Sequence, residues 1–500
     1  MRNFRFVLLL LLPASLLFGQ VSKTFQLLEP GIFDRGGLVG NAVTDLLYGS
    51  GSLYVGTGFG ISISPNQGES WQSYTPADYG FKGGVSAMTL GPDGTLWIAT
   101  AYDTTVQEGE TLQIGGGLRY LAPGATEWGF ISQPVDAVTD TAGGMKPTTT
   151  RVQNVTFDVA VTDSQVWIAT FGGGLRVSED RGATWRVVTT DGQPFDVLNA
   201  AYGLNHRGFA VITDTSGTIW VGSVQGISRS TDRGDSWERF TYTNQSEPIS
   251  GNWVIGLFHN PYDNSIWATT LRSTEADEFN AISRTGNQGQ SWDIMLAEEL
   301  SDGTFPRAVA FYDSAVYVAT EKGIFKSIDD GANWFLMPPI RDAVSGEGLY
   351  TTTFYSVATS PAPGPEHRFW AGSLDGLGAT ANSGYDWTVY RSFVSTRSER
   401  QDPAVYAYPN PFSPTQTDRP CRFQFDVDGA GTARVEVYNF AMEKVVTLSA
   451  EIGSLAVAGN DRSIAWDGRD SNGRLLDNGV YFFRADVDGQ VNWGKVVIIN

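Results

Sequence analysis

Short apolar segments recur along the chain at regular intervals, and all of them have the same form. Each begins with β-branched or aromatic residues and ends in small ones. The seven segments are LYVGT from Leu53, LWIAT from Leu96, VWIAT from Val166, IWVGS from Ile219, IWATT from Ile266, VYVAT from Val316 and FWAGS from Phe369. Such runs are typical of β-strands, and no long stretch beyond residue 20 has the apolar periodicity of a helix. The pattern predicts an all-β chain of many short strands.

An eight-residue motif, Ser/Thr-x-Asp/Asn-x-Gly-x-x-Trp, alternates with these segments. Its six copies are SPNQGESW, SEDRGATW, STDRGDSW, TGNQGQSW, SIDDGANW and TANSGYDW, which end at Trp71, Trp185, Trp237, Trp292, Trp334 and Trp387, and a degenerate copy, LAPGATEW, ends at Trp128. The closing tryptophans are on average about 53 residues apart, a length that suits one four-stranded sheet per repeat. Seven alternating copies of both signals predict seven such sheets.

The motif resembles the BNR or Asp-box repeat of sialidases, sortilin-type receptors, xyloglucanases and photosystem-assembly-factor-like proteins, over roughly residues 40–395. The resemblance implies a seven-bladed β-propeller of the WD40/YVTN-like kind, which we assign to residues 21–400. In that family the motif forms the turn between the third and fourth strands of a blade. There Asp or Asn accepts backbone N–H groups, Gly permits a positive φ and Trp packs between blades. We therefore interpret as structural turn residues Asn66, Asp180, Asp232, Asn287, Asp329 and Asn382.

Extra residues interrupt the repeat in four places. The aromatic residue of the apolar segment and the closing Trp are 17 positions apart in four repeats, as in Tyr54 and Trp71, but 31 apart in the second and 25 in the fifth. The insertions cover about 101–115, 129–151, 186–206 and 271–280. In an up-and-down blade the connections between strands 2 and 3, and from strand 4 to the next strand 1, emerge on one face. All four insertions should therefore gather opposite the motif turns.

We expect this face to bind the ligand, because loops on a rigid scaffold usually carry function. The alternative is that the insertions are solvated loops that the fold merely tolerates. The candidate contacts are polar and aromatic residues of the insertions: Tyr102, Asp103, Glu108, Glu110, Asp136, Asp140, Arg151, Asn205, His206, Glu275, Asp277 and Glu278.

Charge and cysteine content narrow the class of protein. The formal net charge is -20, which disfavours nucleic acid and anionic lipid as partners and favours solubility outside the cell. An acidic face that binds cations or basic partners is the alternative. Cys421 is the only cysteine, so neither an intrachain disulfide nor a thiolate zinc site is expected.

The N-terminus has the features of a signal peptide, which we assign to residues 1–20. Arg2 and Arg5 supply positive charge, and the apolar run 7–18 is too short for an ordinary membrane-spanning helix. No later stretch reaches 18 apolar residues. The sequence thus predicts an exported protein with no transmembrane segment in the mature chain.

The last hundred residues leave the repeat and alternate in polarity, as in ARVEVYN from Ala433. They contain YPNPFSP from Tyr408, WDGRDSNG from Trp466 and NGVYFFR from Asn478. The latter two resemble the FlgD-like immunoglobulin-type module, which implies a small Ig-like β-sandwich over residues 401–500. The opening and the Lys-plus-apolar ending resemble C-terminal sorting signals of the type IX secretion system, which implies that machinery as a partner and a secreted or cell-surface location.

Catalytic and metal-binding motifs are missing from the sequence. The F/Y-R-I-P motif of sialidases does not occur, and xyloglucanases of this repeat class use two facing propellers where this chain has one. The histidines, His206, His259 and His367, lack a recognisable ligand spacing, and the acidic residues around Asp470 lack that of an EF-hand. We predict no catalytic residue, no metal and no cofactor.

Three functions remain open. The first is a binding propeller for an extracellular glycan, peptide or protein, sorted by its C-terminal module. The second is an extracellular glycoside hydrolase-like enzyme with non-standard catalytic residues. The third is a periplasmic assembly factor resembling the photosystem-assembly propellers. The C-terminal module favours the first two, because an assembly factor needs no sorting signal.

Overall fold

The computed structural model describes residues 37–80, 82–105, 111–136, 149–192, 207–273, 277–344, 346–361, 367–392, 405–415, 420–427, 431–452 and 460–500. In these ranges all 35 regular elements are β-strands. A helix long and apolar enough to cross a membrane is not found among them. The signal peptide assigned above lies outside the described residues, as do the candidate contacts Glu108, Glu110, Asp140, Asn205, His206 and Glu275.

Most strands belong to seven consecutive four-stranded antiparallel sheets, each in sequence order, which we call blades 1 to 7. Blades 1 to 3 contain β1 (Val43–Gly49), β2 (Ser52–Thr57), β3 (Gly60–Ser64) and β4 (Gln72–Tyr74); β5 (Gly84–Leu90), β6 (Leu96–Thr105), β7 (Thr111–Leu121) and β8 (Gly129–Ile131); and β9 (Thr156–Val161), β10 (Val166–Thr170), β11 (Gly174–Ser178) and β12 (Arg186–Val188). Each apolar segment of the sequence lies within its blade's second strand.

The remaining four blades repeat this pattern. They contain β13 (Gly208–Thr213), β14 (Ile219–Ser223), β15 (Gly226–Ser230) and β16 (Glu238–Phe240); β17 (Trp253–His259), β18 (Ile266–Leu271), β19 (Ala281–Thr285) and β20 (Asp293–Met295); β21 (Pro306–Tyr312), β22 (Ala315–Thr320), β23 (Gly323–Ser327) and β24 (Phe335–Leu336); and β25 (Phe354–Pro361), β26 (His367–Ser373), β27 (Gly376–Thr380) and β28 (Thr388–Tyr390).

The first strands of the blades surround a central channel. Each contacts the first strand of the next blade, and β25 contacts β1, so the ring is closed. Blade 7 draws its four strands from its own stretch of chain, and side chains join it to blade 1. Leu46 N donates to Ser356 Oγ at 2.9 Å, and Asn41 exchanges two hydrogen bonds with the backbone of Ser392. The predicted all-β propeller fold is confirmed.

Aromatic side chains fill the spaces between blades. The second-strand residues Trp167, Trp220, Trp267, Tyr317 and Trp370 have no exposed surface. The motif tryptophan of one blade packs edge-on against the second-strand aromatic of the blade before it, at 6.0 Å for Trp237 on Trp167 and 6.5 Å for Trp292 on Trp220. Burial of this much apolar surface makes the blade interfaces the main source of stability.

The motif turns are held by their own polar side chains. In SEDRGATW, the Asp180 carboxylate accepts the Thr184 backbone N–H at 2.8 Å and the Thr184 hydroxyl at 2.6 Å, while Arg181 and Gly182 have φ of 55° and 91°. These bonds, led by that from the Thr184 hydroxyl, lower the pKa of Asp180 to about 2. The equivalent Asn66, Asp232, Asn287, Asp329 and Asn382 accept the backbone N–H four positions on in the same way.

The last seven strands form a separate pair of sheets, which we call the C-terminal sandwich. One sheet has the order β29-β30-β33 and the other β32-β31-β34-β35. Their bounds are β29 (Val405–Tyr408), β30 (Cys421–Val427), β31 (Gly431–Tyr438), β32 (Lys444–Ile452), β33 (Asn460–Trp466), β34 (Gly479–Val487) and β35 (Gln490–Ile498). One core joins the sheets, with Trp466 stacked 6.0 Å from Phe423 and Cys421 fully buried. Burial raises the pKa of the Cys421 thiol far above its usual range.

A buried charge cluster joins this sandwich to the ring. Arg422 of β30 donates from Nε to Asp375 Oδ1 at 2.9 Å, and Asp375 lies in the β26–β27 turn of blade 7. Arg391 pairs with Asp375 at 3.3 Å and with Glu347 at 2.9 Å, and Glu347 accepts the Ser463 backbone N–H at 2.5 Å. Burial alone would raise the pKa of Asp375, but the two guanidinium groups outweigh it and hold the pKa below its usual value.

Removing the Asp375 charge should release the sandwich. We expect Asp375→Asn to leave the buried Arg422 guanidinium without its paired carboxylate, and Arg391 with Glu347 alone, and to weaken docking by about 3–5 kcal/mol. Cleavage between residues 392 and 405 in limited proteolysis and a second thermal transition would report the release. Asp93→Asn, which breaks an exposed ion pair with Arg181, is the control and should change stability by less than about 1 kcal/mol. Equal protease resistance of the two variants would contradict the docking role.

His367 should make stability depend on pH. Its Nε2 lies 2.7 Å from the Tyr317 hydroxyl and its ring stacks 4.2 Å from Tyr312. Burial, and then Lys326, lower its pKa to about 4 from 6.5. The unfolded chain therefore binds this proton more readily, and stability should fall as the pH falls from about 6.5 to about 4. We expect His367→Gln to flatten the curve of unfolding free energy against pH in that window; an unchanged slope would contradict this account.

Candidate functional site

Strand direction assigns the connections to two faces of the ring. The motif turns join third to fourth strands on one face. The turns between second and third strands, and the connections into each first strand, lie on the other, which we call the insertion face. The long β6–β7 hairpin extends from this face, and Asp375 places the C-terminal sandwich on the same face at blade 7.

Four of the described candidate contacts lie at the surface or edge of the insertions. Tyr102 and Asp103 are half-buried in β6, where they pair with Ile114 and Gln113 of β7. Arg151 is exposed and its carbonyl accepts the Gly115 N–H at 3.0 Å. Asp277 is exposed as well. Their use in binding stays a prediction.

The other two described candidates are buried anchors for their loops. The Asp136 carboxylate pairs with Arg176 at 2.5 Å, and both side chains are 1% exposed. Glu278 is 3% exposed and accepts hydrogen bonds from the Asn252 side chain and the Ser273 backbone, both at 2.5 Å. These contacts occupy the two carboxylates, so a ligand would reach them only by breaking buried bonds.

The sequence analysis missed a ring of seven residues at the insertion-face end of the channel. In every first strand the pairing register skips one residue near the start, which is the signature of a β-bulge. The skipped residues, which we call the bulge ring, are Thr44, Ser86, Phe157, Phe209, Ile255, Arg307 and Tyr355. Bulges often re-aim a side chain beside a binding site.

The bulge ring lines a cavity of about 210 Å³ in the channel. Six of its seven residues, all but Ser86, contribute to the wall. One arc is apolar, with the rings of Phe157 and Phe209 5.3 Å apart, and Trp253 packs behind Phe209 at 6.0 Å. The opposite arc carries Arg307 and Tyr355, whose guanidinium carbon and ring centroid are 5.1 Å apart. A pocket that combines aromatic surface with a few polar groups is the usual form of a ligand site.

The cavity carboxylates serve the fold. Asp45 follows the blade 1 bulge and accepts the Met88 N–H of blade 2 at 2.9 Å. Asp158 follows the blade 3 bulge and accepts the Val211 N–H of blade 4 at 2.9 Å. Both also accept the N–H of the residue that follows them. Neither is placed as a free acid or base, and no group of metal-ligating side chains occurs in the described part of the chain.

One sequence signal accompanies the bulge ring. The residue after each skipped position is small or acidic: Asp45, Ala87, Asp158, Ala210, Gly256, Ala308 and Ser356. This pattern lies 9 to 14 positions before each second-strand aromatic and was available in the sequence. It has no meaning until the strands are paired, because only the register shows which residue is skipped.

Comparison with known proteins supports the fold and leaves the family open. No protein-family model matches the chain, and no curated protein matches it in sequence. Among solved structures, an ancestral GH74 enzyme is 13% identical with a TM-score of 0.51, over 93% of this chain and 63% of that one. At this identity the likeness shows the propeller fold alone.

Two further structures are similar at lower scores. One is PorZ of Porphyromonas gingivalis, described as an essential bacterial surface component of the type IX secretion system, at 14% identity and TM-score 0.37 over 90% of this chain. The other is the extracellular domain of a one-component system of B. thetaiotaomicron, at 16% and 0.47 over 91%. This chain spans 64% and 56% of the length of those two proteins.

Proposed function

We propose that the chain is a secreted or cell-surface binding propeller whose ligand, an extracellular glycan, peptide or protein, enters the channel from the insertion face. The observation that carries this proposal is the bulge ring. Seven bulges lie at equivalent positions, and six of their residues place side chains of mixed chemistry around one cavity.

The size and lining of the cavity favour one residue-sized group of a larger ligand. A volume of about 210 Å³ is below the usual range for a complete drug-sized ligand. The half-buried ring of Phe157, which packs against Phe209, offers apolar surface to a side chain or a sugar ring. The rest of the ligand would then contact the insertions around the mouth, where Tyr102, Asp103 and Arg151 lie.

Binding is better supported than hydrolysis. A glycoside hydrolase needs a carboxylic acid and a second carboxylate on either side of the scissile bond. The acidic residues in the cavity wall are Asp45 and Asp158, and both are committed to backbone N–H groups. Catalysis by them would require the loss of hydrogen bonds that join neighbouring blades.

The proposal also includes export of the chain from the cell. The N-terminal 20 residues supply a signal peptide, and residues 401–500 supply a FlgD-like, immunoglobulin-type sorting module for the type IX machinery. The WDGRDSNG segment supports the module as a built turn, because Asp470 accepts the Arg474 N–H at 2.9 Å and Trp466 donates to the Arg469 carbonyl at 3.0 Å.

Loss of an aromatic ring from the cavity should weaken binding. We would screen the full chain against immobilised polysaccharides and extracellular proteins, and expect Phe157→Ala to lower the affinity for the captured ligand about tenfold, since buried aromatic anchors dominate binding energy. Tyr385→Ala, at an 88% exposed position in a motif turn, is the matched control and should bind normally. Equal loss in both variants, or none in either, would contradict a site in the channel.

Fractionation of the native cells tests the export proposal. We expect intact-mass measurements to find the chain at the cell surface or in the medium, without its first 20 or so residues. Protein confined to the periplasm with its C-terminal module intact would contradict sorting and would favour the assembly-factor function.

A further inference from the structure

Arg307 is the one charged residue of the bulge ring, all seven members of which are described. Its side chain is only 8% exposed. The residue lies on β21 between Ile255 of blade 5 and Tyr355 of blade 7, so an apolar neighbour and an aromatic neighbour flank it in the cavity wall.

The hydrogen-bonding capacity of this guanidinium is only partly used. Nη2 pairs with Glu321, which lies in the β22–β23 turn. Nε and Nη1 are buried and donate to no acceptor among the described residues. A buried donor without a partner is costly, and a charged one more so, because it has lost water and gained nothing in exchange. An acceptor that enters the cavity would recover that loss.

We propose that Arg307 binds the carboxylate of the ligand and that the apolar arc binds the group next to it. This inference rests on the proposed binding function and specifies its ligand class. A guanidinium N–H donates a charge-assisted hydrogen bond to a carboxylate, and such a bond is stronger than a neutral one. Phe157, Phe209 and Ile255 then select a carboxylate that is attached to an apolar side chain or a ring.

Other charges near the cavity do not oppose this assignment. Asp45 and Asp158 lie on blades 1 and 3, and donors from the backbone hold both carboxylates. Glu321 compensates the charge of Arg307 and is itself 35% exposed, so water can solvate it when a ligand shares the guanidinium. The net charge of -20 gives no long-range attraction for anions, so selection depends on contact inside the cavity.

Two kinds of natural ligand contain such a carboxylate: acidic sugars and peptides. Isothermal titration of the full chain with matched pairs separates them. The first pair is N-acetylphenylalanine and its uncharged amide; the second is galacturonate and galactose. We expect the acid of at least one pair to bind about tenfold or more tightly than its neutral partner, and the pair that responds identifies the source.

Two variants and a matched control test whether the preference for the acid over its neutral partner depends on Arg307. Arg307→Gln should abolish the difference between acid and neutral partner. Glu321→Gln should enlarge it a few-fold, because the guanidinium loses its competing carboxylate. Arg284→Gln is the matched control, since Arg284 also pairs with a carboxylate, that of Asp263, and lies over an aromatic ring, that of Trp267, but near a motif turn. It should leave the preference unchanged.

Several results would overturn the inference: equal binding of acid and neutral partner, a preference that survives in Arg307→Gln, or no binding of either acid in the millimolar range. If Arg307→Gln does not fold, the comparison of acid and neutral partner in the unmodified chain and in Glu321→Gln still tests the inference. A ligand captured from the panel whose binding depends on Phe157 but not on Arg307 would overturn this inference while leaving the binding function intact. A captured ligand whose binding depends on neither Phe157 nor Arg307 would contradict both this inference and the proposed binding site.

Discussion

Closure of seven separate sheets into one ring is the constraint on which the rest of the structure depends. Each blade meets the next through buried aromatic side chains, and at three junctions a hydrogen bond beside a bulge is added. Asp45, Asp158 and Ser356 each accept a backbone N–H from the following blade at 2.9 Å. The bulge that brings these acceptors to the neighbouring strand also turns the preceding side chain toward the channel. The device that closes the fold therefore also builds the cavity.

Because the same bulges join the blades and line the cavity, some residues beside them cannot be changed without loss of stability. The acceptor beside a bulge must keep its partner in the next blade, because an unpaired buried polar group would cost stability. The side chains at the bulges themselves are more varied: Thr44 donates to the Val85 carbonyl of blade 2 at 2.7 Å, and the seven positions together hold hydroxyl, aromatic, aliphatic and cationic groups. Under the proposed function, such a propeller would change its ligand through bulge positions whose side chains do not join blades.

The repeated strands and turns of the fold could be predicted from the sequence, but the side-chain contacts that depend on strand pairing could not. Second strands such as VWIAT and motif turns such as that of Asp180 follow from local patterns, and so does the all-β propeller. Asp136 and Glu278 were selected for polarity and position in the insertions, but the partner that buries Asp136, Arg176, lies 40 residues away. Similarly, nothing local indicates that Arg422 would meet Asp375. Buried ion pairs between distant residues can only be read once the strands are placed.

The C-terminal sandwich occupies the same face as the proposed ligand site. Asp375 and Arg391 of blade 7 are buried beside Arg422 and Ser463 of the sandwich. Loss of the sandwich would return these charges to water and uncover the insertion face beside blade 7. Under the proposed function, processing of the tail during export would therefore also change access to the channel.

Hydrogen–deuterium exchange of the full chain, with and without the tightest ligand from the binding panel, tests the central claim most directly. The account predicts slower exchange at the starts of β9, β13, β17, β21 and β25, where the bulge ring faces the cavity. Protection confined to the motif turns between third and fourth strands, with the strand starts unchanged, would contradict it.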